Sequence, residues 1–572
     1  MRNSARLGPA ERAQAWRRFG REPFDVLVIG GGVTGAGTAL DAVTRGLRTA
    51  LVEARDFASG TSSRSSKLFH GGLRYLEQLN FELVAEALQE RDLMLSRLAP
   101  HLVRPVPFVY PLRHRFWERP YVGAGLILYD TMARRRTTPM HRHLTRGSAL
   151  KLCPALRRDS LVGAIRYYDA QVDDARHTLT VVRTAARYGA VVRNSSEVTG
   201  FLREGGRIVG AHVRDVDSGA TTTIRAKVVI NCTGVWTDDV QRLTGGRGRF
   251  RVRASKGVHI LVPRDRIPSE VGLILRTEQS VLFVIPWGNH WIVGTTDTDW
   301  NLDKAHPAAS RADIDYLLAH VNDVLVEKLT PDDIEGVYAG LRPLLAGESE
   351  QTSQLSREHA VARPLPGLVS IAGGKYTTYR VMAKDAVDAA RADLDPSVPD
   401  SVTENVPLLG AEGYHALANQ VETLADEYGL PVWRMQRLLG RYGSLIDEVL
   451  ELAEHDRTLL EPLPGAGEYL AVEARYAATH EAAVHLDDVL ARRTRISIET
   501  AHRGTETAAA AAGCVADVLG WDEDRVRTEV EIYKARVAAE RESQRKPDDL
   551  SADAERLLAP DTRELAVGRA LL

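Results

Sequence analysis

The chain has 572 residues, 44% of them hydrophobic and 26% charged, with a formal net charge of −2. That length exceeds what one compact core supports and suggests roughly three domains, while the near-neutral balance gives no reason to expect nucleic acid as a partner. Cys153, Cys232 and Cys514 lie far apart with no CxxC spacing, which excludes a disulfide framework read from spacing, argues against a zinc site and fits a reducing cytoplasm; no metal is expected.

The first twenty residues are positively charged but hold no apolar segment, so no secretory signal is expected. No uncharged apolar run approaches the ~20 residues that span a bilayer. Residues 1–22 read as a tail. From Phe24 a βαβ pattern begins: an apolar strand to Ile29, glycines, a small-residue helix to about Arg45 and a second strand from Arg48 to Val52. An amphipathic helix is predicted around 80–100, with Glu90 and Arg91 on its polar side. Another is predicted over 173–189, its leading aspartates favoured by the helix dipole. Strand-like runs follow at 228–234, 258–262 and 281–287, and beyond about 400 the chain turns alanine-, leucine- and charge-rich with helical spacing.

Gly30, Gly32 and Gly35 fit GxGxxG between a strand and a helix. The first permits the tight turn, the second lets the backbone approach a pyrophosphate and the third lets the helix pack close. The diphosphate then meets the free N–H groups of a helix N-terminus. Glu53 ends the second strand and is placed for a ribose 2′-OH, which disfavours NADP. This fingerprint does not separate FAD from NAD. Two further stretches favour FAD: the strand-then-CTG pattern carrying Thr233 and Gly234, and the segment 61–75, where Thr61, Ser62 and Ser66 offer hydroxyls to an extended cofactor.

Six blocks, SSKLFHGGLRYLE (65–77), SKGVHILVP (255–263), VIPWGNHWIVGTTDTDW (284–300), YAGLRPLL (338–345), LSREHA (355–360) and GGKYTTYR (373–380), resemble the aerobic, flavin-dependent sn-glycerol-3-phosphate dehydrogenases. A looser match at 485–499 extends into the C-terminal region. The resemblance implies an α/β fold: a discontinuous Rossmann-like FAD-binding domain (23–80, 170–250 and 355–398), an inserted sheet-based substrate domain (81–169 and 251–354), an all-helical C-terminal domain (399–545) and a tail (546–572). It also implies noncovalent FAD, although His70 stands near the expected flavin, and a homodimer on the inner face of the cytoplasmic membrane that hands electrons to a quinone.

A phosphorylated triol requires converging cations, and arginine's fork suits phosphate best. The family blocks supply Arg74, Arg342 and Arg357. Hydride loss from carbon 2 requires a base for the adjacent hydroxyl, and histidine is the usual choice. The resemblance directs His259 to the flavin pocket, where a structural histidine is the competing reading; Arg342 can instead orient the substrate and leave deprotonation to water. Lys375, after Gly374, is placed to offset charge on reduced flavin and to touch substrate. Tyr75 is a substrate contact or a core residue, Thr377 lies in the same block as Lys375, and Thr296 and Asp297 are expected to order a strand end.

Residues 113–121 mix arginines with Phe116, Trp117 and Tyr121, ahead of an apolar run (123–129) and Arg134 to Arg136. Such a segment suits a membrane interface; a solvated loop beside a core strand explains it equally. Two other functions stay open: a soluble oxidase of the same substrate reducing dioxygen to peroxide, and a non-catalytic FAD-binding sensor.

Overall fold

The computed structural model describes residues 5–72, 80–114, 116–133, 137–246, 251–277, 281–346 and 358–563. One sheet runs in the order His359–Leu365, Leu368–Gly373, Thr221–Asn231, Phe24–Ile29, Thr49–Val52, Val191–Arg193. Phe24–Ile29 pairs in parallel with Thr49–Val52 on one side and Thr221–Asn231 on the other. All six of its residues are buried, because both faces are covered. Val26 and Val28 pack with Ala36, Ala39 and Leu40 of the helix Val33–Thr44, while Leu27 and Ile29 join Phe19, Phe201 and Val213. A strand covered twice needs a near-continuous apolar run rather than alternation.

A second, larger sheet holds Val252–Pro263 between Gly336–Leu345, His290–Gly294 and Thr298–Trp300. It extends through Val281–Trp287, Gly272–Arg276, Val103–Leu112 and Gly163–Val172 to Leu68–Phe69. The helix Arg311–Asn322 covers one face, and the helices Phe81–Leu93 and Glu118–Met132 cover the other. Leu68–Phe69 therefore belongs to the second sheet although its segment begins in the first. Gly163–Val172 in turn leads through the cap residue Asp173 into Asp174–Arg187, a helix of the first sheet. The two sheets share chain at both crossings, which fixes the cleft between them.

The C-terminal region is helical from Tyr414 to Arg556, apart from the hairpin Pro462–Leu463 with Ala466–Leu470. Its block 492–495 grips the first sheet's domain. Arg493 donates two bonds of 2.7 Å to Asp56, and Arg492 a third of 2.5 Å. Arg495 pairs with Asp173 at 2.6 Å and with Asp174. Asp56 is fully buried, so removing its partners would leave an uncompensated charge, worth about 3–5 kcal/mol.

Several sequence expectations are corrected. Pro9–Phe19 is a helix rather than part of a tail: Phe19 is buried in the core, and Arg12 bonds Asn194 and Asp217. The segment after 545 holds the helix Asp549–Arg556, and Arg563 is buried on Asp488. Glu90 and Arg91 are buried, not on a solvent-facing side. Arg380 bonds Glu90, and Asp92 and Asp169 pair with Arg91. In each case partners distant in the chain satisfy charges that local spacing assigns to water. The apolar run 123–129 is helical, inside Glu118–Met132, and does not adjoin a core strand as a loop.

Candidate active site

A cavity of about 470 Å³ crosses the carboxyl ends of four parallel strands, lined in turn by Glu53, Gly30, Thr233 and Gly374. At ~4.8 Å per strand this is roughly 14 Å, the reach of an extended dinucleotide rather than a single phosphate group. The glycines are there for space. Gly30 has φ +107, and a Cβ on Gly35 would fall 1.9 Å from the Gly30 carbonyl oxygen, so the helix can touch the strand only without a side chain. Around Gly32, by contrast, the nearest obstacle to a Cβ is Ser62 Oγ at 3.3 Å. Its empty side faces the cavity, which is where a pyrophosphate would need to come close. Ser62 itself accepts from Val33 N–H at 2.9 Å.

Glu53 accepts from the N–H groups of Gly31 at 2.6 Å and Arg55 at 2.7 Å. Burial nevertheless pushes its carboxyl above the usual range. Gly234, with φ +56, lines the same cavity, and the Thr233 hydroxyl is held by Asn231 at 2.6 Å. Glycine cradle, helix N-terminus and ribose-facing carboxylate together fit the ADP half of FAD.

A smaller cavity of about 160 Å³ adjoins the first, and both are lined by Thr61, Gly374 and Lys375. His259, Arg342, Ser66, Thr377 and His70 line only the smaller one. His259 is buried on the strand Val252–Pro263. Its Nε2 meets Ser66 Oγ at 2.9 Å, and Tyr338 stacks on the ring at 4.7 Å. Burial first, then the charges of Arg342 and Lys67, hold the imidazole well below the usual histidine range, so it is neutral.

Arg342 is opposite Ser255 on the neighbouring strand. Its Nη2 donates to Thr295 Oγ1 and to the Thr296 carbonyl, each at 3.1 Å, and its Nη1 is 3.5 Å from Asp297. Room for the guanidinium comes from Gly257, where a Cβ would fall 2.5 Å from Nη2. Thr296 Oγ1 accepts from Val258 N–H at 3.0 Å, ordering the strand end as expected.

Of the residues singled out for the cofactor, Gly30, Gly32, Glu53, Thr61, Ser62, Thr233, Gly234 and Gly374 line the large cavity. Gly35 sits at the helix–strand contact. Ser66 and Thr377 lie in the smaller cavity instead; Ser66 is drawn there by His259, and Thr377 by the backbone of His70. Arg74, Tyr75 and Arg357, like Arg134 to Arg136, fall outside the described residues.

Sequence reasoning missed the support behind His259. Lys67 is fully buried and pairs with Asp174 at 2.8 Å, and its ammonium lies 4.9 Å over the Tyr338 ring. Tyr338 also donates to the Ser65 carbonyl at 3.0 Å. Nothing local marks Lys67, a lysine among serines, as a core residue.

The match to known proteins agrees with this geometry. Residues 25–380 match the model of the FAD dependent oxidoreductase family, and residues 401–526 match that of the C-terminal domain of alpha-glycerophosphate oxidase. Among curated relatives, glycerol-3-phosphate dehydrogenase of Mycobacterium leprae is 64% identical over 97% of this chain and 95% of its own. The human mitochondrial glycerol-3-phosphate dehydrogenase is 36% identical over 92% of this chain and 75% of its own. The crystal structure of glycerol-3-phosphate dehydrogenase from Bacillus halodurans, complexed with FAD, superimposes with a TM-score of 0.76 at 30% identity, covering 93% of this chain and 97% of that one. The chain belongs to the FAD-dependent glycerol-3-phosphate dehydrogenase family of oxidoreductases.

Proposed function

We propose that the chain oxidises sn-glycerol 3-phosphate at carbon 2 to dihydroxyacetone phosphate, with electrons passed on to a membrane quinone. What carries this reading is the convergence of His259, Arg342 and Lys375 on one small cavity that opens into the glycine-walled one. FAD, when bound, supplies a two-electron acceptor for the hydride. Arg342, braced by Thr295, Thr296 and Asp297, holds the substrate phosphate by charge-assisted bonds. Arg74, Arg357 and Tyr75 join it on the strength of the family blocks. Neutral His259 takes the hydroxyl proton at Nε2 as the neighbouring C–H bond breaks. The Ser66 hydroxyl can donate to Nε2 before that transfer and accept from it afterwards, so the ring keeps a partner in both states. Lys375 places a cation where negative charge accumulates at the cofactor end of the cavity.

Anaerobic sn-glycerol 3-phosphate should bleach the flavin absorbance of the purified holoenzyme; an unchanged spectrum would sink the substrate assignment. The match to an oxidase C-terminal domain favours testing dioxygen as well, and oxygen uptake without added quinone would transfer the chain to the oxidase reading.

The membrane part of the proposal is supported by an exposed aromatic cluster. Phe116 is 89% exposed, Trp117 53% and Tyr121 52%, and Ile127 follows on the same helix. Among the described residues no helix is long and apolar enough to cross a membrane, so attachment would be to the surface. On its inner side the helix places Tyr129, whose hydroxyl accepts from Gly71 N–H at 2.9 Å, within the block 65–77 that carries Arg74. A homodimer in the cytoplasm, on the inner face of the membrane, belongs to the same proposal and rests on the family resemblance.

A further inference from the structure

A third cavity, of about 120 Å³, lies where the segment Arg55–Arg64 meets the C-terminal helices. Among the described residues, seven arginines and His306 line it against two carboxylates, Asp487 and Glu540. Most of these cations are matched from behind. Arg492 pairs with Asp56, Asp487 and Asp488, and Arg563 with Asp488. Arg495 pairs with Asp173 and Arg55 with Asp561.

Two guanidinium groups are left over. Among the described residues Arg64 has no carboxylate within ion-pair distance; its one hydrogen bond, of 3.2 Å, runs to the Ala305 carbonyl. Among the described residues Arg556 reaches a carboxylate only at 3.7 Å, and that carboxylate, Glu540, is already bound by Arg536; its Nη2 also lies 3.3 Å from His306 Nδ1. A third donor is stranded as well: Arg536 Nη2 is buried without a hydrogen-bond partner among the described residues. Burial together with repulsion from Arg492 and Arg556 pushes the Arg64 guanidinium down to about 10. The two lining carboxylates, Asp487 and Glu540, are both taken up by Arg536, which leaves Arg64 and Arg556 as buried cations without a close anion among the described residues.

The volume holds about four waters at ~30 Å³ each, or one tetrahedral oxyanion with its hydration. We propose that this cavity binds a phosphate group, free or as a small phosphomonoester, between Arg64 on one side and Arg536 and Arg556 on the other. Planar guanidinium forks converging from separate elements match a tetrahedral oxyanion, which takes up two or more of them at once. Among the described residues the site shares one lining residue, Arg64, with the cavity of His259 and Arg342; Arg536 and Arg556 line only the third cavity. It bridges the C-terminal helices to the segment that lines the cofactor cavity, since Arg55 and Ser59 face both. Occupancy therefore clamps the C-terminal region and retains cofactor.

The test uses the purified holoenzyme. Inorganic phosphate at about 10 mM should raise Tm by about 2 °C more than sodium chloride of equal ionic strength, and should slow FAD release. The Arg342→Gln enzyme should keep part of that increment and the Arg342→Gln/Arg556→Gln enzyme should lose it, which separates this site from the substrate cavity. Glycerol 2-phosphate in a parallel arm distinguishes an ester from free phosphate, and a response to either supports the site. If neither exceeds chloride, or if Arg556→Gln keeps the full increment, the proposal is wrong. Should Arg556→Gln fold poorly, wild-type crystals soaked in tungstate decide: an anomalous peak is expected among these arginines, and its absence overturns the idea.

Discussion

His259 Nε2 lies 2.9 Å from the hydroxyl of Ser66, although the two residues are 193 positions apart. Tyr338 stacks on the same ring and is itself backed by the ammonium of Lys67. The imidazole thus has one fixed orientation, with Nε2 beside a hydroxyl of the small cavity. Replacing His259 by Gln should lower the rate of anaerobic flavin reduction about 10²- to 10⁴-fold, the usual worth of a general base, with FAD retained. Because burial, Arg342 and Lys67 hold this ring well below the usual histidine range, the acid limb of kcat/KM should lie below ~6.5, the free-histidine value. A stopped-flow pH series measures both; a limb at or above 6.5, or a near-normal rate for the variant, removes His259 from the role.

Arg342 depends on an absent side chain. A Cβ at Gly257 would fall 2.5 Å from Nη2 and 2.6 Å from Thr295 Oγ1. Gly257→Ala should therefore displace the guanidinium and raise KM for sn-glycerol 3-phosphate, while Arg342→Ala removes it outright. The outright loss should cost about 3–6 kcal/mol, roughly 10²- to 10⁴-fold in kcat/KM, if two charge-assisted bonds to phosphate disappear. Steady-state kinetics on both variants, with flavin content checked, tests the ordering.

The glycines of the fingerprint should separate into structural and cofactor roles. Gly35→Ala drives a methyl to 1.9 Å from the Gly30 carbonyl oxygen, whereas Gly32→Ala meets only Ser62 Oγ at 3.3 Å. The first variant should lose both fold stability and flavin. The second should fold with a near-normal apoprotein Tm and yet hold FAD poorly, because its methyl occupies the cavity side. Equal flavin-to-protein absorbance ratios in Gly32→Ala and wild type would contradict the placement of the diphosphate.

His485 makes an alkaline stability prediction. Its two ring nitrogens lie 2.9 Å from Asp217 and 2.9 Å from Glu529, and these hydrogen bonds outweigh burial to raise its pKa to about 9. A folded pKa above the unfolded ~6.5 means the stabilisation is complete below pH 6.5. It is lost progressively as pH rises to about 9, and amounts to about 3 kcal/mol at most. His485→Gln should flatten that part of the Tm–pH curve; an unchanged slope would show that the imidazolium is not the group responsible.

Phe116 and Trp117 should matter only at a membrane. Replacing both with Ser is expected to leave soluble flavin reduction intact, because both are exposed. Cosedimentation with vesicles rich in anionic phospholipid should fall several-fold. Undiminished vesicle binding would move the attachment surface elsewhere.

The parts of this protein legible before folding were those carried by adjacent residues. The FDVLVI strand, the Gly30–Gly35 turn, the helix after it and Glu53 form one βαβ unit, and each piece takes its conformation from its neighbours in the chain. His259, Arg342 and Lys375 could be named from their motifs, but no local rule says that they share a cavity, since each comes from a different strand or loop.

By itself, then, the sequence determined the nucleotide fingerprint, the βαβ unit that carries it, and the family blocks with their candidate base and cations. Only the tertiary structure decided which charged groups are buried. Glu90 and Arg91 sit on a helix that looks amphipathic, yet Arg380 and Asp169 reach them from far along the chain. Asp56, Lys67 and Arg12 are likewise satisfied by Arg493, Asp174 and Asp217. Periodicity reports which side chains prefer water when alone; burial of a charge is settled by a partner whose distance in space bears no relation to its distance in sequence.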